Sequence, residues 1–170
     1  MIGIDLDPIV ISAARKRKAF YEGNFGDLDV EFYSANSFKF DYSTLAPVDG
    51  IYSLFAFNLM QPSEKMLDLV IPILSIGGHI IISDGNMRNL YNRFFRKRPV
   101  LTPDNMRSAL QSRCCDVLLL EYGCAIPPAI VKLRWLFKAA SVMEQLLIRL
   151  NFEQWAGVSY TIIAKKVRSL

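Results

Sequence analysis

Apolar and polar positions follow two alternating periods along this chain. Residues 1–5 form a short apolar run ending in a carboxylate, which predicts a buried parallel strand. Residues 8–21 predict a helix of about four turns, with Asp7 as N-cap and Pro8 at its first position. Gly23 and Gly26 punctuate a loop before a strand over 29–34. Past Pro47, residues 48–57 predict another strand. The stretch "PSEKMLDLVIPILS" then places Met66, Leu67, Val70, Ile71 and Leu74 at helical spacing, with Pro72 as a kink. Gly77 and Gly78 lead into 79–84, apolar enough for a strand covered on both faces.

The second half opens with a basic, aromatic helix candidate over 86–98. A short helix follows behind Thr102 and Pro103, then a strand over 116–123 and a long amphipathic helix over 127–150. A β-branched strand over 157–167 closes the chain. Strands separated by helices predict one α/β domain: a doubly wound, mostly parallel sheet with right-handed crossovers, its last strand antiparallel at the edge.

Composition agrees with a packed domain. Of 170 residues, 52% are hydrophobic and 21% charged, which excludes a disordered chain. A net charge of +4 and a pI near 9.0 permit anionic partners without requiring them. Cys114, Cys115 and Cys124 have no zinc spacing, so a reduced, cytoplasmic setting is expected. Asp5 and Asp7 interrupt the first apolar stretch, so no secretory leader is read there. The longest apolar region, 67–82, is too broken to span a bilayer.

Four stretches in register give the pattern a family likeness. "IGIDLDPIVISAARKR", "VEFYSANSFKF", "VDGIYSLFAFNLM" and "GGHIIISDGN", in this order and spacing, resemble the class I S-adenosylmethionine-dependent methyltransferases. "LTPDNMRSAL" is similar to the family's helix before its sixth strand. The resemblance implies a Rossmann-like fold, S-adenosylmethionine as cofactor, and methyl transfer to a small-molecule oxygen, nitrogen or carbon. It also implies a strand and a glycine-rich turn ahead of residues 1–5, whereas none of the nine glycines forms a G-x-G. In the family's order that strand lies between 1–5 and 48–57, and its loss would leave two apolar sheet edges unpaired. The expectation is a domain truncated at its amino end by a start placed too late. A degenerate remnant, or another segment filling the gap, are the alternatives. An extension of roughly 30 residues would supply the missing strand, helix and loops.

The resemblance also assigns residues. Asp5, at the carboxyl end of its strand, is implied to accept hydrogen bonds from both ribose hydroxyls, and Leu6 to lie against the adenine. The structural alternative is a plain strand end beside a helix cap. Asn36 stands where the family often has Asp; it can accept from the adenine amino group or donate to a ring nitrogen, and it equally suits a turn. Ser37 joins it as a cofactor candidate. Leu54, Phe55 and Asn58 fall where a strand runs out toward methyl donor and acceptor, while Phe55 or Phe57 reads equally as core. His79, the only histidine, opens a strand, whereas ligands in open α/β sheets bind beyond the carboxyl ends. Asp84, at the correct end of the same strand, is the candidate acid–base or substrate contact. No metal-ligand cluster is visible, so no metal dependence is expected.

Residues 86–99 and 127–150 correspond to variable cover over the family's acceptor pocket, with Tyr91 and Trp135 as candidate substrate contacts. Their basic and aromatic residues suit a lid for a lipophilic acceptor, quinone-like or lipid, or peripheral contact with an anionic membrane. The structural alternative is a pair of helices with solvated charges. The cations between Arg88 and Arg98 would suit phosphates, yet no nucleic-acid recognition motif accompanies them. Two other functions compete: a non-catalytic remnant or partner subunit, and a nicotinamide dehydrogenase, which Asn36 and residues 54–58 disfavour.

Overall fold

A computed structural model describes residues 1–45, 47–57, 59–89, 92, 101–123 and 134–169. The chain divides into two compact units, Met1–Thr44 and Leu45–Leu170.

The first unit is a strand–helix–strand. Strands β1 (Ile2–Asp5) and β2 (Glu31–Ser34) pair in parallel, Ile2 opposite Glu31 and Asp5 opposite Ser34. Between them runs α1 (Pro8–Phe25), whose first turn is closed by Asp7 Oδ1 accepting the Ile9 N–H at 2.8 Å. The helix outruns its expected end at Tyr21. Gly23 is tolerated inside it, and Gly26 is the first residue that takes a left-handed φ, +97°, to stop it. Arg15 and Lys18, one turn apart on α1, donate to Phe32 O at 2.7 Å and Val30 O at 2.8 Å. These long side chains thereby satisfy carbonyls at the β2 edge.

The second unit contains β3 (Val48–Leu54), α2 (Ser63–Val70), β4 (Leu74–Gly85), α3 (Pro103–Gln111), β5 (Cys115–Gly123), α4 (Arg134–Arg149), α5 (Glu153–Ala156) and β6 (Ser159–Lys166). Its sheet order is β3-β4-β6-β5, with β3 and β4 parallel. Strand β6 is antiparallel as expected, but it lies inside the sheet, bonded to both β4 and β5, and β5 takes the edge. Burial explains the placement: Tyr160, Ile162, Ala164 and Lys166 of β6 are all at most 5% exposed, and a strand so covered needs both its edges paired.

One face of this sheet is the core. Ile80 and Ile82 of β4 and Ile162 and Ala164 of β6 are fully buried, together with Met66 and Leu67 of α2 and Met106 and Leu110 of α3. Each large side chain contributes about 1.5–3 kcal/mol on burial. The other face is only half covered, contrary to the expectation for β4: Ile81 and Ile163 are half-buried, and Tyr52 and Leu54 are exposed.

Pro72 does not kink a helix. Helix α2 stops at Val70, Pro72 lies in the following turn, and β4 starts at Leu74, so Gly77 and Gly78 lie within the strand. A β-carbon on Gly78 would sit 2.8 Å from Leu74 Cδ1 and 2.9 Å from Ser75 O, so no larger residue fits there. That turn is fixed by Lys166, whose buried ammonium donates to Ile71 O, Pro72 O and Leu74 O at 2.9, 3.2 and 2.7 Å.

The expected helix over 86–98 falls largely outside the described residues. Of the expected helix over 127–150, α4 is the part within them.

Candidate functional site

In the first unit, Asp5, Leu6, Asn36 and Ser37 come together at the carboxyl end of the β1–β2 pair. The parallel register sets Asp5 opposite Ser34, and the Ala35 N–H donates to Asp5 O at 2.9 Å, so Asn36 follows directly. Asp5 is half-buried. Its Oδ1 accepts the Asp7 N–H at 2.8 Å, and its Oδ2 takes no hydrogen bond among the described residues. The backbone bond thus fixes the carboxylate while one oxygen stays open to a ligand hydroxyl. Leu6 beside it is 69% exposed, an apolar side chain at a strand end.

Asn36 is a turn residue, as its alternative reading held. Its Oδ1 accepts the Phe38 N–H at 2.9 Å in an Asx turn, and the residue is exposed. Ser37 is hydrogen-bonded to Tyr42; burial pushes the Tyr42 phenol up, and the Ser37 bond offsets part of that.

In the second unit the carboxyl ends of β3 and β4 carry Leu54, Phe55 and Asp84. Leu54 and Phe55 are half exposed, whereas Phe57 is buried, so Phe57 is the core aromatic. Phe55 has φ +52°, and its N–H donates to Ser83 O at 2.7 Å. A bulky side chain in the left-handed region costs about 1–2 kcal/mol, and such strain clusters at functional sites. Asn58 and Tyr91 lie outside the described residues, as does the Trp135 side chain on α4. His79 is the sixth residue of β4, not its first, paired with Gly50 and Lys165 well short of the strand's carboxyl end.

Asp84 is 1% exposed, with Oδ1 accepting the Gly85 N–H at 2.8 Å. Opposite it in register stands Tyr160, whose phenol is pushed well above its usual range, first by burial and then by the Asp84 charge. The hydroxyl of Tyr160, Ser53 Oγ and Asn92 Oδ1 are buried with no hydrogen-bond partner among the described residues.

One feature escapes the sequence reading. Asn86, Asn89 and Asn92, three residues apart, form a clamp of amides beyond β4. Asn86 Nδ2 donates to Gln154 O and Gly157 O, both at 2.9 Å; Asn89 Nδ2 donates to Trp155 O and Ala156 O; Asn92 Nδ2 donates to Val158 O at 2.6 Å. Every carbonyl from Gln154 to Val158 is therefore satisfied by this trio. Arg88 adds an ion pair with Asp104 and lies 5.5 Å above the Trp155 ring. The regular spacing of the asparagines was the available signal. Among the described residues no group of three or more His, Cys, Asp or Glu side chains could hold a metal ion, and no helix is long and apolar enough to cross a membrane.

No protein-family model and no curated protein matches the chain. Solved structures do. An S-adenosylmethionine-dependent methyltransferase from Mesorhizobium loti matches with a TM-score of 0.66 at 15% identity, over 96% of this chain and 79% of that one. The N-methyltransferase NodS from Bradyrhizobium japonicum, in complex with S-adenosyl-L-homocysteine, matches with a TM-score of 0.66 at 12% identity, over 98% and 66%. The cyclase SpnF matches with a TM-score of 0.62 at 15% identity, over 97% of this chain and 65% of its own length. The chain thus spans 65–79% of the length of these three structures, and it has their α/β, Rossmann-like fold with a mixed sheet.

Proposed function

We propose that this chain is the greater part of a methyltransferase that moves a methyl group from S-adenosylmethionine to a small, lipophilic acceptor in the cytoplasm. The observation that carries the reading is Asp5: a carboxylate pinned by the Asp7 N–H at the carboxyl end of β1, with Oδ2 open. The residues present fit the adenosine half of the donor. Asp5 would accept from the ribose hydroxyls, Leu6 would lie on the adenine, and Asn36 Nδ2 would donate to a ring nitrogen. The acceptor role considered for the Asn36 carbonyl is the weaker one, because Phe38 already uses that oxygen. Ser37 supports the same loop.

No glycine-rich turn answers to the methionine half. Among the described residues, strand β1 bonds only to β2, and β3 only to β4; on this reading, a further strand carrying that turn pairs with the other edge of β1 in the truncated domain's full form.

When bound, the donor supplies a methyl group on a positively charged sulfur, already activated. The protein's task is to hold the acceptor in line with it and exclude water. Leu54 and Phe55 would present an apolar wall, and Asn58, Tyr91 and Trp135 would meet the acceptor beneath lids over 86–99 and 127–150. Asp84 is the candidate base for a weakly acidic acceptor. The buried polar groups left over at Ser53 and Tyr160 support this end of the sheet as the place where a polar group is received. No metal is invoked, and nucleic acid is not favoured.

The test is calorimetric titration of the chain with S-adenosyl-L-homocysteine. Saturable binding is expected, weakened about 30-fold by Asp5→Ala, the equivalent of about 2 kcal/mol for lost charge-assisted bonds. Absence of binding by the folded chain would favour a non-catalytic remnant or partner subunit instead.

A further inference from the structure

We propose that α4 is a membrane-surface helix that docks on an anionic lipid bilayer. The inference stands apart from donor binding and rests on the side chains α4 exposes. Ile148, 55% exposed, stands about 120° round the helix from Val142, whereas Val142, Met143, Leu146 and, just past the helix end, Leu150 are 68%, 57%, 49% and 56% exposed. At 100° per residue these last four share a sector of about 100°. The exposed cations Lys138 and Arg149 fall within about 40° of Val142, along one margin of that stripe. Glu144, the one carboxylate of α4, lies half-buried on the far side.

Asn151 takes φ +56°, its N–H donates to Ile148 O at 3.0 Å, and the Phe152 N–H donates to Leu147 O at 2.8 Å. This Schellman turn folds the chain back and leaves Phe152 exposed beside the last turn.

Charge selects the occupant. A second copy of this chain, laid antiparallel on the stripe about a two-fold axis, would bring Lys138 of each copy toward Arg149 of the other, like charge against like. An anionic bilayer takes both features at once: the apolar side chains enter the acyl boundary, while the Lys and Arg stems lie along it and place their charges at the phosphates. The net charge of +4 acts in the same direction.

Flotation of the full chain with vesicles tests this, using phosphatidylcholine alone and phosphatidylcholine mixed with phosphatidylglycerol. The chain is expected to float with the mixed vesicles and not with the neutral ones, and to detach at high salt. Lys138→Glu with Arg149→Glu should weaken binding about tenfold or more. Val142→Glu with Leu146→Glu should abolish it, with unchanged far-ultraviolet circular dichroism in both variants. The proposal is overturned if the folded chain does not float, or if Val142→Glu with Leu146→Glu floats like the parent. It also falls if light scattering shows a dimer that the same pair of substitutions dissolves.

Discussion

Replacing Asn86 by aspartate keeps the shape of a fully buried side chain and inverts its hydrogen-bonding character. Asn86 is 0% exposed and donates through Nδ2 to Gln154 O and Gly157 O at 2.9 Å, while its Oδ1 accepts the Arg88 N–H at 3.0 Å. In Asn86→Asp, an acceptor oxygen faces those two carbonyls. The two lost bonds cost about 1 kcal/mol each. The buried anion costs further, limited by the free energy of taking up a proton instead. The sum is about 4 kcal/mol at neutral pH, a large part of the roughly 5–15 kcal/mol that holds a domain folded. Asn86→Ala forfeits all three bonds without a charge and should cost about 3 kcal/mol. The pH dependence separates the two. Burial and the facing carbonyls raise the new carboxyl above its unfolded value, so the folded state holds the proton longer. The protonated carboxyl can also donate. The variant's stability is therefore greatest near the unfolded carboxyl pKa of about 4 and declines as pH rises from there. Urea unfolding at about pH 5 and about pH 8 should show Asn86→Asp approaching or passing Asn86→Ala at the lower pH and falling below it at the higher. A loss under about 1 kcal/mol at neutral pH, or one independent of pH, would refute the donor role.

Two other buried groups give sharp outcomes. Lys166→Met keeps the length of the side chain but removes the donor to Ile71, Pro72 and Leu74; a loss of about 3 kcal/mol is expected, seen as a fall of about 6–12 °C in Tm, and an unchanged Tm would mean that packing alone holds the turn. Tyr160, raised by burial and by Asp84, keeps its proton in the folded state beyond the pH at which an unfolded tyrosine loses it. Its contribution is complete below about pH 10 and is lost as pH rises further. Alkaline absorbance titration should show one tyrosine ionising only with unfolding, and Tyr160→Phe should flatten the alkaline fall in stability; a Tyr160 that titrates with the exposed phenols would contradict its burial.

Much of the fold is legible because its signals are local. Asp7 and Pro8 announce α1, and Thr102 and Pro103 announce α3, since the groups that close a helix's first turn are sequence neighbours. The end of α1 is harder to read: Gly23 and Gly26 both look like stops, and only the one that adopts a positive φ acts as one. The place of β6 is not local at all. Its β-branched run announces a strand, but whether that strand borders one neighbour or two depends on pairings with β4 and β5, which its own residues do not encode.

The candidate site divides along the same line. Asp5 and Asn36 in the first unit, and Leu54, Phe55 and Asp84 in the second, are legible as strand-end residues because a carboxyl strand end is itself a local feature of the sequence. The asparagine clamp is legible only as a spacing. Read alone, Asn86, Asn89 and Asn92 fit one face of a basic helix, where amides would be solvated. In the structure each faces carbonyls 66 to 71 residues further along the chain. Asparagine is a poor helix former, so its recurrence at this spacing argues for a partner elsewhere. Helix α5 shows why one is required: at four residues, with no side-chain cap, it is too short to hold itself. The amides that satisfy its carbonyls tie it to the end of β4, where Asp84 stands. The clamp thus makes the order of α5 depend on the same strand end that presents the candidate base.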